Sequence, residues 1–407
     1  MPTLPASQER SSLLQRLGGV VAGCVALFAS VVLIPATVVT GDPPEVDPGA
    51  DFVIWGTPYY VLDSCVHRPV VQLSMGILHA AAVLDDGDVV CWGSNFFGES
   101  NVPSDVGAGP FQIPAVQVSA GEGHTAAVLA DGSVRCWGEN EFAECIVPPE
   151  VGSPEHPVRS VHAAVYSTTA LMMDGSIVCW GNSAAPDCDP FEAIPETGLQ
   201  RLSVGNRHTV GLMQDGSIHC WGENFHGQCD VPEGIGDRGQ RVVAIATGFS
   251  HTVVILEDGS VRCWGDDAQG QVSVPVGIGT PEHPAAAVAA GLAHTVLLHE
   301  DGSVASWGFN SAGQTDVPTS IAGPTRGPIR PLVDVVARGL GSGAIRAPGV
   351  ACTGDLDRDA RVDGIDLGLI LIDWGGRDGC RSDLDRDGLV GPGDLGLLLS
   401  NWGRCGS

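Results

Sequence analysis

The chain has 407 residues, 43% of them hydrophobic and 56 of them glycine, which excludes an intrinsically disordered protein and requires an ordered, turn-dense one with room for more than one domain. Twenty Lys+Arg stand against 48 Asp+Glu, and the formal charge of -28 would repel nucleic-acid phosphates and gain nothing from counterion release, so DNA and RNA are excluded as partners. Thirteen cysteines behind a hydrophobic N-terminus point to an oxidising compartment.

Residues 1–40 begin with a polar segment carrying Arg10 and Arg16 and continue as an apolar stretch, Leu17 to Thr40, interrupted only by Gly, Ser, Pro and Thr. This predicts an export signal or an N-terminal membrane anchor. Pro35 near the end of the stretch, and the lack of a second segment of that length, favour the cleaved signal. Val21-Ala22-Gly23-Cys24 is spaced like a bacterial lipoprotein box, but most of the apolar run follows Cys24 instead of preceding it. Residues 41–50, GDPPEVDPGA, read as a linker.

From residue 51 the chain repeats itself. Trp-Gly recurs at Trp55, Trp92, Trp137, Trp180, Trp221, Trp264 and Trp307, at spacings between 37 and 45 residues. The best-formed unit, Val243 to Pro275, reads VAIATGFSHTVVILEDGSVRCWGDDAQGQVSVP. Thr252 to Leu256 is β-branched and apolar, Ser260 to Trp264 alternates, and Asp258-Gly259 between them predicts a tight two-residue hairpin connection. Asp-Gly fills the same slot beginning at Asp86, Asp131, Asp174, Asp215 and Asp301. A Gly-rich turn after Trp-Gly and a Val-Pro exit complete the unit. Short strands and hairpins at this period predict an all-β, β-propeller fold in which the Trp rings pack between blades.

The order Gly-x-x-His-Thr, Asp-Gly, Trp-Gly, Gly-Gln resembles the regulator-of-chromosome-condensation repeat in its short bacterial form, also seen in beta-lactamase-inhibiting propellers, over roughly residues 51 to 348. The Gly-x-x-His segment begins at Gly76, Gly121, Gly205, Gly248 and Gly291, is degenerate around Ala164, and appears last at Gly339 with Ser342 in the His slot. Seven such segments match seven Trp-Gly elements. An orphan Trp-Gly strand near Trp55 and an orphan strand near Gly339 then complete one blade, so a seven-bladed ring closed by the N- and C-terminal strands is expected, with no free edge to aggregate. His79, His124, His208, His251 and His294 recur one per repeat, too far apart to share a metal, and are expected to make structural hydrogen bonds.

Repeat cysteines occupy a slot before Trp (Cys91, Cys136, Cys179, Cys220, Cys263) and one about eight residues after it (Cys65, Cys145, Cys188, Cys229). Pairing within a unit would join Cys136–Cys145, Cys179–Cys188 and Cys220–Cys229. Pairing each late slot with the next unit's early slot would join Cys65–Cys91, Cys145–Cys179, Cys188–Cys220 and Cys229–Cys263. The second scheme is preferred because it leaves only Cys136 over.

Residues 349–407 form a different domain with a period of 28: DLDRDARVDGIDLGLILIDWG from Asp355 and DLDRDGLVGPGDLGLLLSNWG from Asp383. Carboxylates at positions 1, 3, 5, 9 and 12 of a 12-residue loop suit the oxygen-ligand cage of Ca2+. In the first loop these are Asp355, Asp357, Asp359, Asp363 and Asp366, with the Arg361 carbonyl at position 7. In the second they are Asp383, Asp385, Asp387 and Asp394, with the Leu389 carbonyl, and a water would serve beside Gly391. Gly388 fits the sharp turn at position 6, where Ala360 makes the first site the weaker. Each loop leads into a short apolar helix, and the pair resembles a type I dockerin domain from Asp355 to Trp402, implying a small α-helical calcium-binding loop-helix pair with two Ca2+ sites. The positions that carry the cohesin contact in such domains are Gly364-Ile365 and Pro392-Gly393 here, which departs from the usual hydroxyl pair and weakens the case for a cohesin-like partner. One disulfide is expected among Cys352, Cys380 and Cys405.

No Gly-x-Ser-x-Gly elbow, His-Glu-x-x-His motif or phosphate loop is present, so no catalytic residues are expected. The chain reads as a secreted or cell-envelope binding and scaffold protein. Its propeller face would meet an extracytoplasmic protein or glycan, and its dockerin-like tail would mediate attachment. The alternative is a component of an extracellular polysaccharide-degrading assembly. Membrane contact is expected only through residues 17–40, if these are retained.

Overall fold

A computed structural model of the chain describes residues 52–56, 69–182, 188, 198–324, 331–347, 361–362, 364–372, 374, 384 and 390–404. The chain divides at Glu45 and Val46; the first unit, with the expected export segment and half of the linker, lies outside the described residues. Among the described residues no helix is long and apolar enough to cross a membrane.

The propeller consists of seven three-stranded antiparallel sheets. Blade 1 runs through Val70–Met75, His79–Leu84 and Val89–Gly93; blade 2 through Ala115–Ala120, His124–Leu129 and Val134–Gly138; blade 3 through Val158–Ala163, Ser167–Met172 and Ile177–Gly181. Blade 4 uses Leu199–Val204, His208–Met213 and Ile218–Gly222, blade 5 Val242–Thr247, His251–Leu256 and Val261–Gly265, and blade 6 Ala285–Ala290, His294–His299 and Val304–Gly308. Blade 7 is built from both ends of the repeat region: Leu332–Arg338 and Gly341–Arg346 are joined by the N-terminal strand Phe52–Gly56, with Trp55 in register with Ser342. The expected closure is therefore present.

The first strand of each blade touches the first strands of its neighbours and forms the inner wall of the ring. The middle strands are buried along their whole length, because a neighbouring blade covers each face. All seven inner strands carry a bulge at their second residue, which ejects that side chain and leaves Val71, Val116, Val243 and Val333 about half exposed. Each outer-strand Trp packs back onto the preceding blade. Trp137 joins Ala81, Val83 and Val118, and its Nε1 donates to the Glu99 carbonyl at 2.9 Å.

Three expectations need correction. The Asp-Gly connection is not a two-residue turn: Gly87 N–H donates to the Leu84 carbonyl and Leu84 N–H to that of Asp88, so the loop is residues 85–87, with Gly87 at φ 89. That is the three-residue hairpin in which glycine takes the left-handed position after a type I turn. Ser342 does not occupy the His slot; the register places Gly341 opposite Gly56 there, and Ser342 takes the following Thr slot.

The preferred disulfide scheme is also overturned: among the described residues the pairs are Cys136–Cys145, Cys179–Cys188 and Cys220–Cys229, each within one unit, with Cys91 and Cys263 as free thiols. The reason is strand alternation. Cys and Trp are adjacent on an outer strand, so their side chains face opposite ways. Trp180 points back to the turn of blade 2, where its Nε1 donates to the Glu144 carbonyl, so Cys179 must point forward to its own turn and Cys188. Cys24, Cys65, Cys352, Cys380 and Cys405 lie outside the described residues.

In the C-terminal region, helices Gly364–Ile372 and Pro392–Ser400 contact each other, and the short strands Arg361–Val362 and Gly403–Arg404 pair. Their core is Val362, Ile370, Val390 and Leu398, in which Val362 matches Val390 and Ile370 matches Leu398 across the 28-residue period.

Candidate interaction face

One face of the propeller is assembled from two rings of turns. The inner ring, or hub, is the set of Gly-x-x-His turns between inner and middle strands. Ile77 N–H donates to the Gly121 carbonyl, Glu122 to Ala164, Phe249 to Gly291 and Leu292 to Gly339, so the hub turns of blades 1 to 3 and those of blades 5 to 7 are bonded in succession. The approach is close enough that a Cβ on Gly76 would meet the Gly121 carbonyl oxygen, which is why the slot holds glycine.

Below the hub, each repeat His reaches the next blade. His79 Nε2 lies 2.8 Å from Thr125 Oγ1, His124 from Thr168 at 2.9 Å, His208 from Thr252 at 3.0 Å, His251 from Thr295 at 3.2 Å and His294 from Ser342 at 2.9 Å. Where the hydroxyl also donates to a rim carbonyl, as Thr125 does to Glu99 at 2.9 Å, the imidazole must supply the other proton. These rings are fully buried. Burial lowers their pKa to about 4 for His79, His208 and His294 and about 3 for His124 and His251, so they are neutral near pH 7. They hold the blades together, as expected, and among the described residues no group of His, Cys, Asp or Glu is placed to hold a metal.

The outer ring, or rim, is the turn after each Trp-Gly. Its first N–H bonds to a hub carbonyl, as in Ser94 to Leu78, Glu139 to Gly123, Glu223 to Arg207 and Phe309 to Ala293, so hub and rim form one continuous surface. Gly138 at φ 105 makes this return possible, and a Cβ there would collide with the Gly123 carbonyl. In blades 1, 2, 4, 5 and 6 the rim turn is locked by a buried side chain: Glu99, Glu144, Gln228, Gln271 and Gln314 respectively. Their side-chain oxygens accept from Phe97, Phe142, His226, Gln269 and Ala312 N–H. Desolvation raises the pKa of Glu144.

What the rim presents to solvent is aromatic and acidic. Phe96 and Phe225 are 83% and 86% exposed, and Phe97 and Phe142 are also exposed. Phe142 meets the hub residue Tyr166 of blade 3 edge-on at 5.1 Å, and Phe96 meets Phe97 at 4.9 Å. At the axis, Arg338 lines the mouth of the channel with Asn206, Phe249 and Leu292, and its Nη1 crosses from blade 7 to donate to the Val204 carbonyl of blade 4 at 3.4 Å. The Arg338 charge adds to burial in depressing His79, His124 and His162. Neither the aromatic rim nor Arg338 was anticipated from the sequence. A Phe one or two residues after Asn in SNFF, ENEF and ENFH was the available signal, but a turn's composition does not reveal its exposure.

Of the residues expected to bind calcium, Arg361, Asp366 and Asp394 fall within the described residues. Asp366 and Asp394 are described and fully buried at the starts of the two helices; Asp355, Asp357, Asp359, Asp363, Asp383, Asp385, Asp387 and Leu389 lie outside the described residues, and only the backbone of Arg361 is described. Asp394 accepts from Leu384 N–H at 2.5 Å and Gly391 N–H at 2.7 Å, tying the loop's first turn to the helix start. A buried carboxylate in each half is a hard oxygen donor of the kind calcium takes, and the other carboxylates expected of each site lie outside the described residues.

Regulator of chromosome condensation (RCC1) repeats are matched at residues 70–99, 115–143, 200–228, 242–271 and 285–314. No curated protein matches the chain in sequence. Among solved structures, it is similar to Prp20p from Saccharomyces cerevisiae (TM-score 0.56, 18% identity, covering 76% of this chain and 93% of that one), a protein that binds Gsp1p and histones. Yeast RCC1 (Prp20) bound to Kap60 gives a TM-score of 0.55 at 18% identity, covering 76% and 90% of the two chains. Human WBSCR16 gives 0.54 at 16% identity, covering 69% and 87%. At these identities the likeness is one of fold. The matched repeats and the shared ring of blades lead to one conclusion, that this chain carries RCC1 repeats arranged as a β-propeller.

Proposed function

We propose that the chain is an exported, non-catalytic binding protein that uses the hub-and-rim face to hold another protein, with its C-terminal loop-helix pair binding Ca2+ and attaching it outside the cytoplasm. The observation that carries this reading is the exposure of Phe96, Phe97, Phe142 and Phe225 on a face whose rim turns are hydrogen-bonded back to the hub. Large apolar side chains exposed on a rigid frame mark interaction surfaces. Fold relatives that bind proteins, such as Prp20p with Gsp1p and histones, support a protein as the partner. Three disulfides support an oxidising compartment. The buried Asp366 and Asp394 support the calcium module.

The test is capture of partners from the cell envelope and culture medium by the full chain, with and without chelator. Capture lost on substituting Phe96 and Phe225 by Ala assigns binding to the propeller face, and capture lost only with chelator assigns attachment to the tail. Turnover of glycans by the purified chain would overturn the non-catalytic reading.

A further inference from the structure

We propose that the face over blades 1 to 4 docks a cationic polypeptide segment bearing apolar side chains; this deepens the reading of the face as a binding surface and rests on it. The exposed rings on this arc are interleaved with carboxylates in the same turns: Glu139 and Glu141 beside Phe142, Glu223 beside Phe225, and Glu122 on the hub next to them. Arg207 pairs with Glu223 at 3.7 Å, and Arg338 stands at the axis of the same face. The chain contains no lysine, and its 48 acidic residues outnumber its 20 arginines, so its surface favours a cationic partner. Such a surface rewards a guanidinium or ammonium group, which can lie on a Phe ring while reaching a carboxylate, and rewards alkyl groups between the rings. It penalises an acidic partner by like-charge contact.

The disulfides strengthen the assignment. The bridge Cys136–Cys145 encloses Glu139 to Phe142, and Cys220–Cys229 encloses Glu223 to Phe225. Within each loop an Asn side chain caps the turn, Asn140 accepting from Cys145 N–H and Asn224 from Cys229 N–H. Blades 2 and 4 therefore present their rings with little conformational freedom left to lose on binding, whereas blades 5 and 6 lack both the staple and an exposed Phe in the rim turn.

The test uses the intact chain and a labelled synthetic peptide of alternating Arg and Leu, with an alternating Glu and Leu peptide as control, followed by fluorescence anisotropy at low and moderate salt. The basic peptide is expected to bind and the acidic one not. Phe96→Ala/Phe225→Ala should weaken binding about tenfold or more. Glu141→Gln/Glu223→Gln should weaken it and flatten its salt dependence. Glu150→Gln/Glu155→Gln/Glu233→Gln, in the connections beside the hairpin tips at the other end of the blades, should leave it unchanged. Equal binding by wild type and the double Phe variant would mean that the peptide follows overall charge, and would overturn the proposal, as would equal binding of the acidic peptide. If neither peptide binds but the double Phe variant loses envelope capture, the cationic partner class falls and the binding face stands. If capture also survives that variant, both readings fall.

Discussion

Thr125 shows how much a single hydroxyl can carry in this fold. It donates to the Glu99 carbonyl of the preceding rim turn, accepts from His79 of the preceding blade, and sits fully buried beneath Trp137, whose indole shares the same carbonyl. Thr125→Val keeps the shape and removes the hydroxyl, leaving the His79 Nε2 proton without an acceptor. The expected loss is about 1–3 kcal/mol, read as a lower urea midpoint with an unchanged m-value. Glu144 is a residue-scale problem of the opposite sign. It fills the slot that holds Gln in blades 4 to 6, and burial raises its pKa above 4.5. The native state then holds its proton more tightly than the unfolded state, so stability present at low pH is lost as the pH rises through the raised value. Glu144→Gln is expected to leave the melting temperature unchanged or slightly lower at pH 4, and to raise it at pH 8 by a few degrees, on the order of 1 kcal/mol. A melting-temperature difference that does not change between the two pH values would show that Glu144 does not titrate in this range.

The rim turn is the element that the sequence encoded most plainly and concealed most effectively. Its period, its Trp-Gly start and its Gly-Gln close were legible, because a repeat that must bury one Trp per blade leaves that residue at a fixed spacing. The leftover strands at Trp55 and Gly339 were legible for the same reason, and their pairing in blade 7 follows from them. The disulfides were not read correctly, because slot counting ignores which side of a strand a residue faces. The misplacement of Ser342 and of the hairpin type has a similar origin: both depend on register, which a one-residue difference in turn length shifts without changing composition. The corrected pairing makes a prediction for blade 5. Cys263 is free, and nine residues on stands Val272, whose N–H bonds to Asp267 as Cys145 N–H bonds to Asn140. Val272→Cys should form a fourth staple with Cys263, seen as a new cross-linked peptide in a non-reducing map and as a gain of about 2–3 kcal/mol for a loop this short. A free thiol at both positions would contradict the forward orientation of the outer-strand cysteines.

At the scale of the whole ring, two consequences follow from how the blades are joined. Closure depends on one short strand, Phe52–Gly56, and Trp55 anchors it to blade 6 by packing on Val296 and Leu298 and donating to the Gln314 carbonyl at 3.0 Å. Trp55→Ala should cost about 3–5 kcal/mol and, unlike a Trp substitution in blade 2, should expose residues 332–346 to limited proteolysis first. The second consequence concerns acid. Five repeat histidines are buried neutral, with pKa values depressed by burial from 6.5 to about 3 or about 4. Between those values the unfolded chain binds protons that the native ring refuses, so stability rises with pH across the window and is lost as pH falls below 6.5. Each unit of depression corresponds to about 1.4 kcal/mol, so even partial realisation at five sites outweighs the opposing contribution of Glu144. Thermal unfolding of the whole chain should be nearly flat from pH 7 to 8 and fall steeply between pH 6 and 4, beginning above the range where ordinary carboxylates titrate. Replacing His124 by Gln, which keeps a buried donor but cannot take a proton near neutral pH, should make that fall shallower. An unchanged slope in this variant would place the acid sensitivity elsewhere, in the carboxylates of the hairpin turns such as Asp131, whose pKa is lowered by its bonds to Ser133.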